Sequence, residues 1–205
     1  MSLFITFEGG EGSGKSVQTR ALYRTLNHLN IPAVLVHEPG STTIGERLTR
    51  LLKWAQNTNI SPLTELMLFN ASRAQLVEEI VRPALKAGKI VVCDRFTDST
   101  IAYQGYGRKL DIGKITNMNN LATGGLKPDL TILMDIPIDE GFARKTGQQP
   151  DRFEKEEKAF HQRVRKGYLR LAAEEPERWL VIDASLSKER IKQTIWEKVN
   201  SFFSE

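Results

Sequence analysis

The feature that most constrains the fold is a glycine-rich loop near the start of the chain. A short apolar, β-rich run at residues 4–7 precedes the pattern G-x-x-x-x-G-K-S, and a helical pattern of leucines follows it. Glycines let backbone N–H groups face phosphate oxygens, and the following helix directs its positive end there. The alternative, a glycine-rich turn with a chance lysine, does not account for the strand–loop–helix order. We predict a phosphate-binding loop made of Gly9, Gly10, Glu11, Gly12, Ser13, Gly14, Lys15 and Ser16.

Apolar runs of strand length alternate with helical patterns along the rest of the chain. The runs are continuously apolar, which is typical of strands that are covered on both faces. The strands are predicted at 3–7, 33–37, 90–93, 130–135 and 179–183, and helices near 14–29, 43–56, 62–87, 111–122, 138–146, 153–174 and 186–203. The helix at 62–87 is the clearest, because its apolar residues recur at three- and four-residue spacing. Ser61-Pro62 opens it and Gly88 closes it.

This alternation predicts an α/β fold, a five-stranded parallel sheet with helices on both faces, in three layers. Ligands of such sheets bind at the carboxyl ends of the strands. That rule brings residues 8–16, 37–42, 94–104, 135 and 183–185 into one crevice. The 205 residues suit a single domain, 1–205, without a linker or an internal repeat.

Composition narrows the choice of partners and compartment. The net charge of +4 is only mildly basic and its cations are scattered, so we expect no nucleic-acid partner. The single cysteine, Cys93, excludes an internal disulfide and is expected to be a buried strand thiol. No run is long enough to span a membrane, and the first strand leaves no room for a signal peptide. The expected location is the cytoplasm.

A second candidate site follows the strand at 90–93. Asp94 ends this strand beside the phosphate loop, where a carboxylate can hold Mg²⁺ together with the hydroxyl of Ser16. The adjacent Arg95 is unusual at a strand end unless it meets an anion. The alternative is an arginine that caps a helix or pairs with Asp94.

Two further pairs combine an aromatic ring with a polar group. Tyr103 and Gln104, which follow Ser99 and Thr100, join a flat wall to an amide that suits a nucleobase edge. Phe69 and Arg73 lie four residues apart on one helical face, where a ring can stack on a base and a guanidinium can contact its carbonyl. Each pair alone is weak evidence, and a core phenylalanine with a surface arginine is the alternative for the second pair.

A polar segment at 145–151 lies between two helical patterns and is flanked by Arg144 and Arg152. We interpret residues 144–152 as a short lid, with a solvated loop as the alternative. The lid offers three candidate catalytic cations, Arg144, Lys145 and Arg152.

Together these segments resemble the bacterial thymidylate kinases over almost the whole chain. The segments that carry the resemblance are FEGGEGSGKS at 7–16, EPG at 38–40, LF at 68–69 with SR at 72–73, RPAL at 82–85, DR at 94–95, AYQG at 102–105, GGLKPDLT at 124–131 and DRFE at 151–154. The resemblance implies a P-loop NTPase fold and transfer of the ATP γ-phosphoryl group to dTMP, with Mg²⁺ as cofactor. It also implies a homodimer, which the apolar circumference of helix 62–87 favours.

The resemblance further implies a role for each acceptor-site residue. Glu11 would meet the sugar 3′-hydroxyl, Phe69 would stack on thymine and Arg73 would contact the base. Arg95 would bind the acceptor phosphate, and Ser99 or Thr100 would line the base pocket. Tyr103 would crowd the sugar 2′ position, and Gln104 would lie near base and sugar.

The chain departs from the family pattern at several positions. Gly12 stands where some members carry an arginine, which implies that the lid supplies the catalytic cation. His37 and Thr49 stand where arginines are usual, with Arg47 and Arg50 as neighbouring substitutes for the second. Val17 lacks a hydroxyl that is usual after the loop, so one hydrogen bond to the α-phosphate is expected to be missing.

Two other functions are alternatives to this one, and Glu11, Tyr103 and Gln104 discriminate between them. A kinase for another nucleotide would not explain Glu11 with Tyr103 and Gln104. A P-loop switch protein would carry a base-specifying N/T-K-x-D motif, which the sequence lacks.

Overall fold

Five parallel strands form the centre of the molecule, in the order β2-β3-β1-β4-β5. The computed structural model describes residues 2–54, 59–145, 147 and 149–203. The strands are β1 (Phe4–Glu8), β2 (Ala33–His37), β3 (Ile90–Asp94), β4 (Leu130–Asp135) and β5 (Trp179–Asp183). β1 pairs with β3 and β4, so the phosphate loop leaves the centre of the sheet. The predicted parallel α/β fold is confirmed.

Helices connect the strands. They are α1 (Lys15–His28), α2 (Thr43–Trp54), α3 (Pro62–Leu76), α4 (Arg82–Lys86), α5 (Thr97–Thr100), α6 (Ile112–Thr123), α7 (Ile138–Ala143), α8 (Lys158–Glu174) and α9 (Lys188–Ser201). A π-helical turn, Val77–Val81, joins α3 to α4, so the predicted helix at 62–87 is continuous in the structure. The helix predicted at 138–146 is shorter in the structure, because α7 ends at Ala143 and a turn follows. Residue 146 and the predicted helix end at 55–56 lie outside the described residues. Among the described helices, none is long and apolar enough to cross a membrane.

Alternate residues of each central strand face two different cores. On one face, Ile5 and Phe7 of β1 pack with Leu22 of α1 and Ile191 of α9. On the other face, Phe4 packs with Val77 and Val81 between α3 and α4, and Leu133 of β4 packs with Val164 of α8. The sheet is thus buried on both sides, as its continuously apolar strands predicted. Cys93 is buried on β3, as expected of a strand thiol.

The helix predicted at 153–174 begins later than expected, which corrects that boundary. The Asp151 carboxylate accepts hydrogen bonds from the backbone N–H groups of Phe153 and Glu154, at 2.9 and 3.0 Å. These bonds stabilise a turn, and α8 starts only at Lys158. Side chains that bond nearby backbone groups compete with helix formation in this way.

A helical segment that the sequence did not predict follows β3. It consists of α5 and a π-helical stretch, Ile101–Gly107, packed against α8. Glycines allow the close packing: a Cβ on Gly107 would lie 2.5 Å from the Phe160 ring, and one on Gly167 would lie 2.6 Å from Tyr106. This segment carries Tyr103 and Gln104 into the crevice.

Candidate active site

One cleft of about 780 Å³ lies at the carboxyl ends of the strands. Most of the predicted site residues line it, namely residues 11–16, Phe69, Arg73, Asp94, Arg95, Ser99, Thr100, Tyr103, Gln104, Arg144 and Lys145. Gly9 begins the phosphate loop, where a Cβ would lie 2.5 Å from the carbonyl oxygen of Met134. The fold therefore brings together groups from the loop, three strand ends and the lid.

Lys15 is buried and folds back over the phosphate loop. Its Nζ donates to the carbonyl oxygen of Gly10 at 2.6 Å and to Ser13 Oγ at 3.3 Å. Burial lowers the pKa of Lys15 to about 8, and the neighbouring Arg95 acts in the same direction. Because α1 begins at Lys15, directly after the glycines, the backbone N–H groups at the helix start also lie at the phosphate loop. The loop offers an anion both a charge and backbone donors.

Ser16 and Asp94 meet across the cleft floor. Ser16 Oγ donates to Asp94 Oδ2 at 2.5 Å. A hydroxyl and a carboxylate are hard oxygen ligands, and Mg²⁺ is commonly held by one or two such groups together with substrate phosphates. The described residues contain no cluster of three or more His, Cys, Asp or Glu side chains that could hold a metal alone. The pair therefore fits a metal ion that is shared with a phosphate chain.

Arg95 joins the phosphate loop to the rest of the cleft. Its backbone has a φ of 73°, a left-handed conformation that is costly for a residue with a side chain. Its guanidinium lies 3.1 or 3.2 Å from five acceptors, which are Gly9 O, Glu11 Oε1, Ser99 Oγ, Tyr103 OH and Tyr168 OH. The surrounding groups thus hold a strained backbone and one orientation of the guanidinium.

Glu8 binds two of the groups that contact Arg95, the hydroxyls of Ser99 and Tyr168. It was not predicted as a site residue. Its carboxylate accepts hydrogen bonds from Phe96 N, Ser99 Oγ and Tyr168 OH, at 2.8, 2.6 and 2.8 Å. Burial raises the pKa of Glu8 to about 7 from an ordinary value of 4.5, and Asp98 adds to the rise. The sequence places Glu8 at the end of an apolar strand, within the crevice predicted at 8–16, but does not show that its carboxylate is buried.

Glu11 is surrounded by cations and a phenol. Its carboxylate lies 3.2 Å from Arg95 Nη2, 3.4 Å from Lys145 Nζ and 2.9 Å from Tyr103 OH. Burial alone would raise the pKa of Glu11, but Arg95, Lys15 and Lys145 hold it well below its usual range. Glu11 is therefore a charged acceptor that faces the cleft.

The aromatic rings of Phe69, Tyr103 and Phe153 line one part of the cleft. The ring centroid of Phe153 lies 5.7 Å from that of Phe69 and 6.1 Å from that of Tyr103.

Arg73 is 1% exposed, so it is not the surface arginine of the alternative interpretation. It donates to Glu38 Oε2 at 2.8 Å, to Asn119 Oδ1 at 2.7 Å and to the carbonyl oxygen of Phe96 at 3.1 Å. These contacts hold its guanidinium at the cleft wall.

The two hydroxyl groups predicted for the base pocket have different surroundings. Ser99 Oγ is engaged by Glu8, Tyr168 and Arg95. The hydroxyl of Thr100 is buried and has no hydrogen-bond partner within the described part of the chain. Thr100 is thus the one whose hydroxyl is available to a ligand.

The three lid cations lie in different places. Arg144 donates to the carbonyl oxygen of Ala184 at 2.8 Å, after β5, and Lys145 pairs with Glu11 and Glu154 beside the phosphate loop. Arg152 instead donates from Nε to the carbonyl oxygen of Leu52 at 2.9 Å, and its Nη2 lies 2.6 Å from Glu65. Of the three, Lys145 is the one in contact with a residue of the phosphate loop.

The chain matches the family model described as Thymidylate kinase over residues 7–195. The chain belongs to the thymidylate kinase family.

Relatives and a solved structure agree with this assignment. A thymidylate kinase of Dehalococcoides mccartyi is 56% identical over 98% of this chain and 97% of its own length. One of Roseiflexus castenholzii is 46% identical over 95% of this chain and 91% of its own. A crystal structure of thymidylate kinase from Ehrlichia chaffeensis superimposes with a TM-score of 0.74 at 38% identity, covering 88% of this chain and 92% of that one.

One motif that resembles the thymidylate kinases lies away from the cleft. In GGLKPDLT, Asp129 Oδ2 accepts from the backbone N–H of Phe4, the first residue of β1, at 2.7 Å. Thr131 Oγ1 accepts from Arg178 at 2.6 Å, and Arg178 also binds the buried Asp98. The motif thus fixes the start of the central strand and its neighbour rather than contacting the cleft.

At position 49, where thymidylate kinases usually carry an arginine, the structure shows which other cation reaches the cleft. Thr49 lines the cleft but its hydroxyl donates to the carbonyl oxygen of Gly45 at 2.9 Å. One turn later, Lys53 also lines the cleft, whereas Arg47 and Arg50 are exposed. Sequence reasoning missed Lys53, although a spacing of four residues on α2 puts it on the same face as Thr49.

Proposed function

We propose that the chain transfers the γ-phosphoryl group of ATP to dTMP, giving dTDP and ADP for dTTP synthesis. The observation that carries this proposal is the guanidinium of Arg95. It contacts Gly9 and Glu11 of the phosphate loop and lies 5.0 Å from the ring centroid of Tyr103 in the cleft. A cation held between a donor loop and an acceptor pocket suits transfer from one phosphate to another.

On the donor side, the phosphate loop would cradle ATP through its backbone N–H groups and the start of α1. Lys15 would leave Gly10 and neutralise the β- and γ-phosphates. Ser16 and Asp94 would hold Mg²⁺, which would offset the negative charge of the ATP phosphates. The buried carboxylates around Lys15 keep a local charge balance before ATP enters.

On the acceptor side, Phe69 would stack on thymine while Arg73 and Gln104 contact its edge. Glu11 would accept a hydrogen bond from the 3′-hydroxyl, and the ring of Tyr103 would exclude a 2′-hydroxyl. Arg95 and Lys53 would bind the acceptor phosphate. Arg73 and Arg95 are already held by neighbouring acceptors, which lowers the entropic cost of ordering them on binding.

The reaction needs positioning and charge neutralisation more than covalent catalysis. An oxygen of the dTMP phosphate attacks the γ-phosphorus as the bond to the bridging oxygen breaks, and ADP leaves. Arg95 orients the attacking phosphate and Lys15 stabilises the charge that develops on the leaving side. Lys145 would supply the lid cation, and lid closure would exclude water.

We also propose a homodimer and a cytoplasmic location. Leu63 and Met67, one turn apart on α3, are 51% and 53% exposed. An apolar stripe of this kind favours contact with a second copy of the chain. Light scattering that gives the mass of a monomer at micromolar concentration would contradict the dimer.

The activity is tested by measuring ADP release with ATP and Mg²⁺, with and without an acceptor. We expect release that depends on dTMP and is at least about tenfold more efficient than with the ribose analogue, because Tyr103 faces the sugar. Release that is independent of dTMP would indicate an ATPase instead. Equal efficiency with both sugars would contradict the role of Tyr103.

A further inference from the structure

A buried carboxylate, Glu65 on α3, lies between Gln104 of the acceptor pocket and Arg152 of the lid. It is inaccessible to solvent. Its Oε1 accepts from Gln104 Nε2 at 2.7 Å and from Arg108 Nε at 3.2 Å. Its Oε2 lies 3.2 Å from Arg108 Nη2 and 2.6 Å from Arg152 Nη2. Two arginines and one amide therefore meet at this group.

The chemistry of Glu65 fixes the orientation of the Gln104 amide. A carboxylate between two guanidinium groups only accepts hydrogen bonds, so the NH₂ end of the amide must face it. The carbonyl oxygen Oε1 of Gln104 then faces away from Glu65. Gln104 lines the cleft, so its polar edge is available to a base there.

We propose that Glu65 is a positioning residue that makes Gln104 present a hydrogen-bond acceptor to the base, and so selects an imide N–H over a ring-nitrogen acceptor. Thymine and uracil carry an N–H at N3, whereas cytosine carries a lone pair there. With its amide held in one orientation, Gln104 rejects cytosine, since two acceptors would face each other. This inference rests on the proposed function, because it concerns the same acceptor.

Glu65→Gln is a sharp test because it is nearly isosteric. In this variant Arg108 Nη2 continues to donate to the oxygen in the Oε2 position, beside the guanidinium of Arg152, while Arg108 Nε loses its acceptor at the Oε1 position. The new NH₂ group then takes the Oε1 position and faces Gln104, which must turn its own carbonyl oxygen toward residue 65. The base would meet the NH₂ of Gln104, a donor that suits cytosine.

The experiment measures the dissociation constants of dTMP and dCMP by calorimetry, with kcat/KM for both acceptors. We expect wild type to favour dTMP and Glu65→Gln to lower the dTMP:dCMP ratio at least about tenfold. Glu65→Asp keeps a group that only accepts, so it should keep most of the ratio. Arg108→Gln, the matched control, removes one cation from Glu65 but leaves the amide orientation, so the ratio should stay within about threefold of wild type.

Several outcomes would overturn the inference. One is a dTMP:dCMP ratio that stays unchanged in folded Glu65→Gln. Another is a fall in this ratio in Arg108→Gln as large as that in Glu65→Gln, which would indicate a general loss of packing around the pocket. If Glu65→Gln does not fold, dTMP methylated at N3 tests wild type directly. It should bind at least about tenfold more weakly than dTMP, and equal binding contradicts the inference. Wild type that does not phosphorylate dTMP at all would instead contradict the proposed function.

Discussion

Gly12 of the phosphate loop and Gly141 of α7 lie against each other through their backbones. A Cβ on Gly12 would overlap the carbonyl group of Gly141, and one on Gly141 would overlap the carbonyl oxygen of Glu11. Gly12 also has a φ of 67°. The approach of α7 therefore excludes an arginine at position 12, and we expect the catalytic cation to come from another part of the chain.

Adding a methyl group at this contact should separate α7 from the loop. We expect Gly12→Ala to lose at least about tenfold in kcat, because the lid root can no longer approach the phosphates. Gly88 is a matched control, with a φ of 73° and nothing within 4 Å of a built Cβ. Gly88→Ala should show the backbone strain alone, about 1 kcal/mol in urea unfolding, and a normal kcat. Equal kcat in both variants would contradict the role of the contact.

Lys145 is expected to supply the lid cation. Lys145→Met should lower turnover at least about a hundredfold while changing dTMP affinity little, since the cation acts on charge that develops during transfer. Arg152→Met should change the acceptor KM more than kcat, because Arg152 binds α2 and Glu65. Steady-state kinetics with calorimetry separates the two. If the three single variants at 144, 145 and 152 and the triple variant all stayed within about tenfold of wild type, the lid would supply no catalytic charge.

Substitutions of Lys15 and of Arg95 should impair the use of different substrates. Lys15→Met is expected to abolish transfer while the fold remains intact, because the β- and γ-phosphates lose their cation. Arg95→Ala should impair use of dTMP and leave ATP affinity within about threefold, measured by calorimetry with a non-hydrolysable analogue. Near-normal efficiency of Arg95→Ala toward dTMP would show that the acceptor phosphate binds elsewhere.

Glu8 predicts how stability depends on pH. The pKa of Glu8 is raised in the folded state. Its contribution to the free energy of unfolding is therefore fully present below about pH 4.5 and is lost as the pH rises through about 7. Glu8→Gln carries no charge at either pH. Relative to this variant, wild type should lose about 3 kcal/mol of unfolding free energy between pH 4.5 and 8. Parallel curves of stability against pH for the two proteins, measured by urea unfolding, would contradict the burial of a titrating Glu8.

Val17 offers a gain-of-function test. It is 47% exposed in the cleft at the start of α1, where a hydroxyl could reach the α-phosphate. Val17→Thr has nearly the same shape and should lower the KM for ATP by about two- to tenfold through one hydrogen bond. Val17→Ala, without a hydroxyl, should not. An unchanged KM in the threonine variant would show that the α-phosphate lies out of reach.

Local pattern was sufficient for much of this molecule. The five strands follow from continuous apolar runs, the helix at 62–87 from apolar periodicity, and the phosphate loop from glycine spacing. Parallel strands also bring their carboxyl ends to one edge, so Ser16 and Asp94, far apart in sequence, were predicted together. Such features depend on interactions within a few residues or on one topological rule.

The remaining features were decided by packing between segments that are distant in the chain. Nothing near Glu8 or Glu65 shows that each is buried, or that Tyr168 and Arg152 reach them from other elements. The same holds for Lys53, which reaches the cleft because of the position of α2 in the fold. It also holds for the close approach of Gly141, which leaves no room for a side chain at position 12. Burial and close approach are properties of the assembled layers. The sequence alone therefore determined the fold and the chemical class of the cleft, whereas the tertiary structure decided which charges are paired, which side chains are held and where the lid cations point.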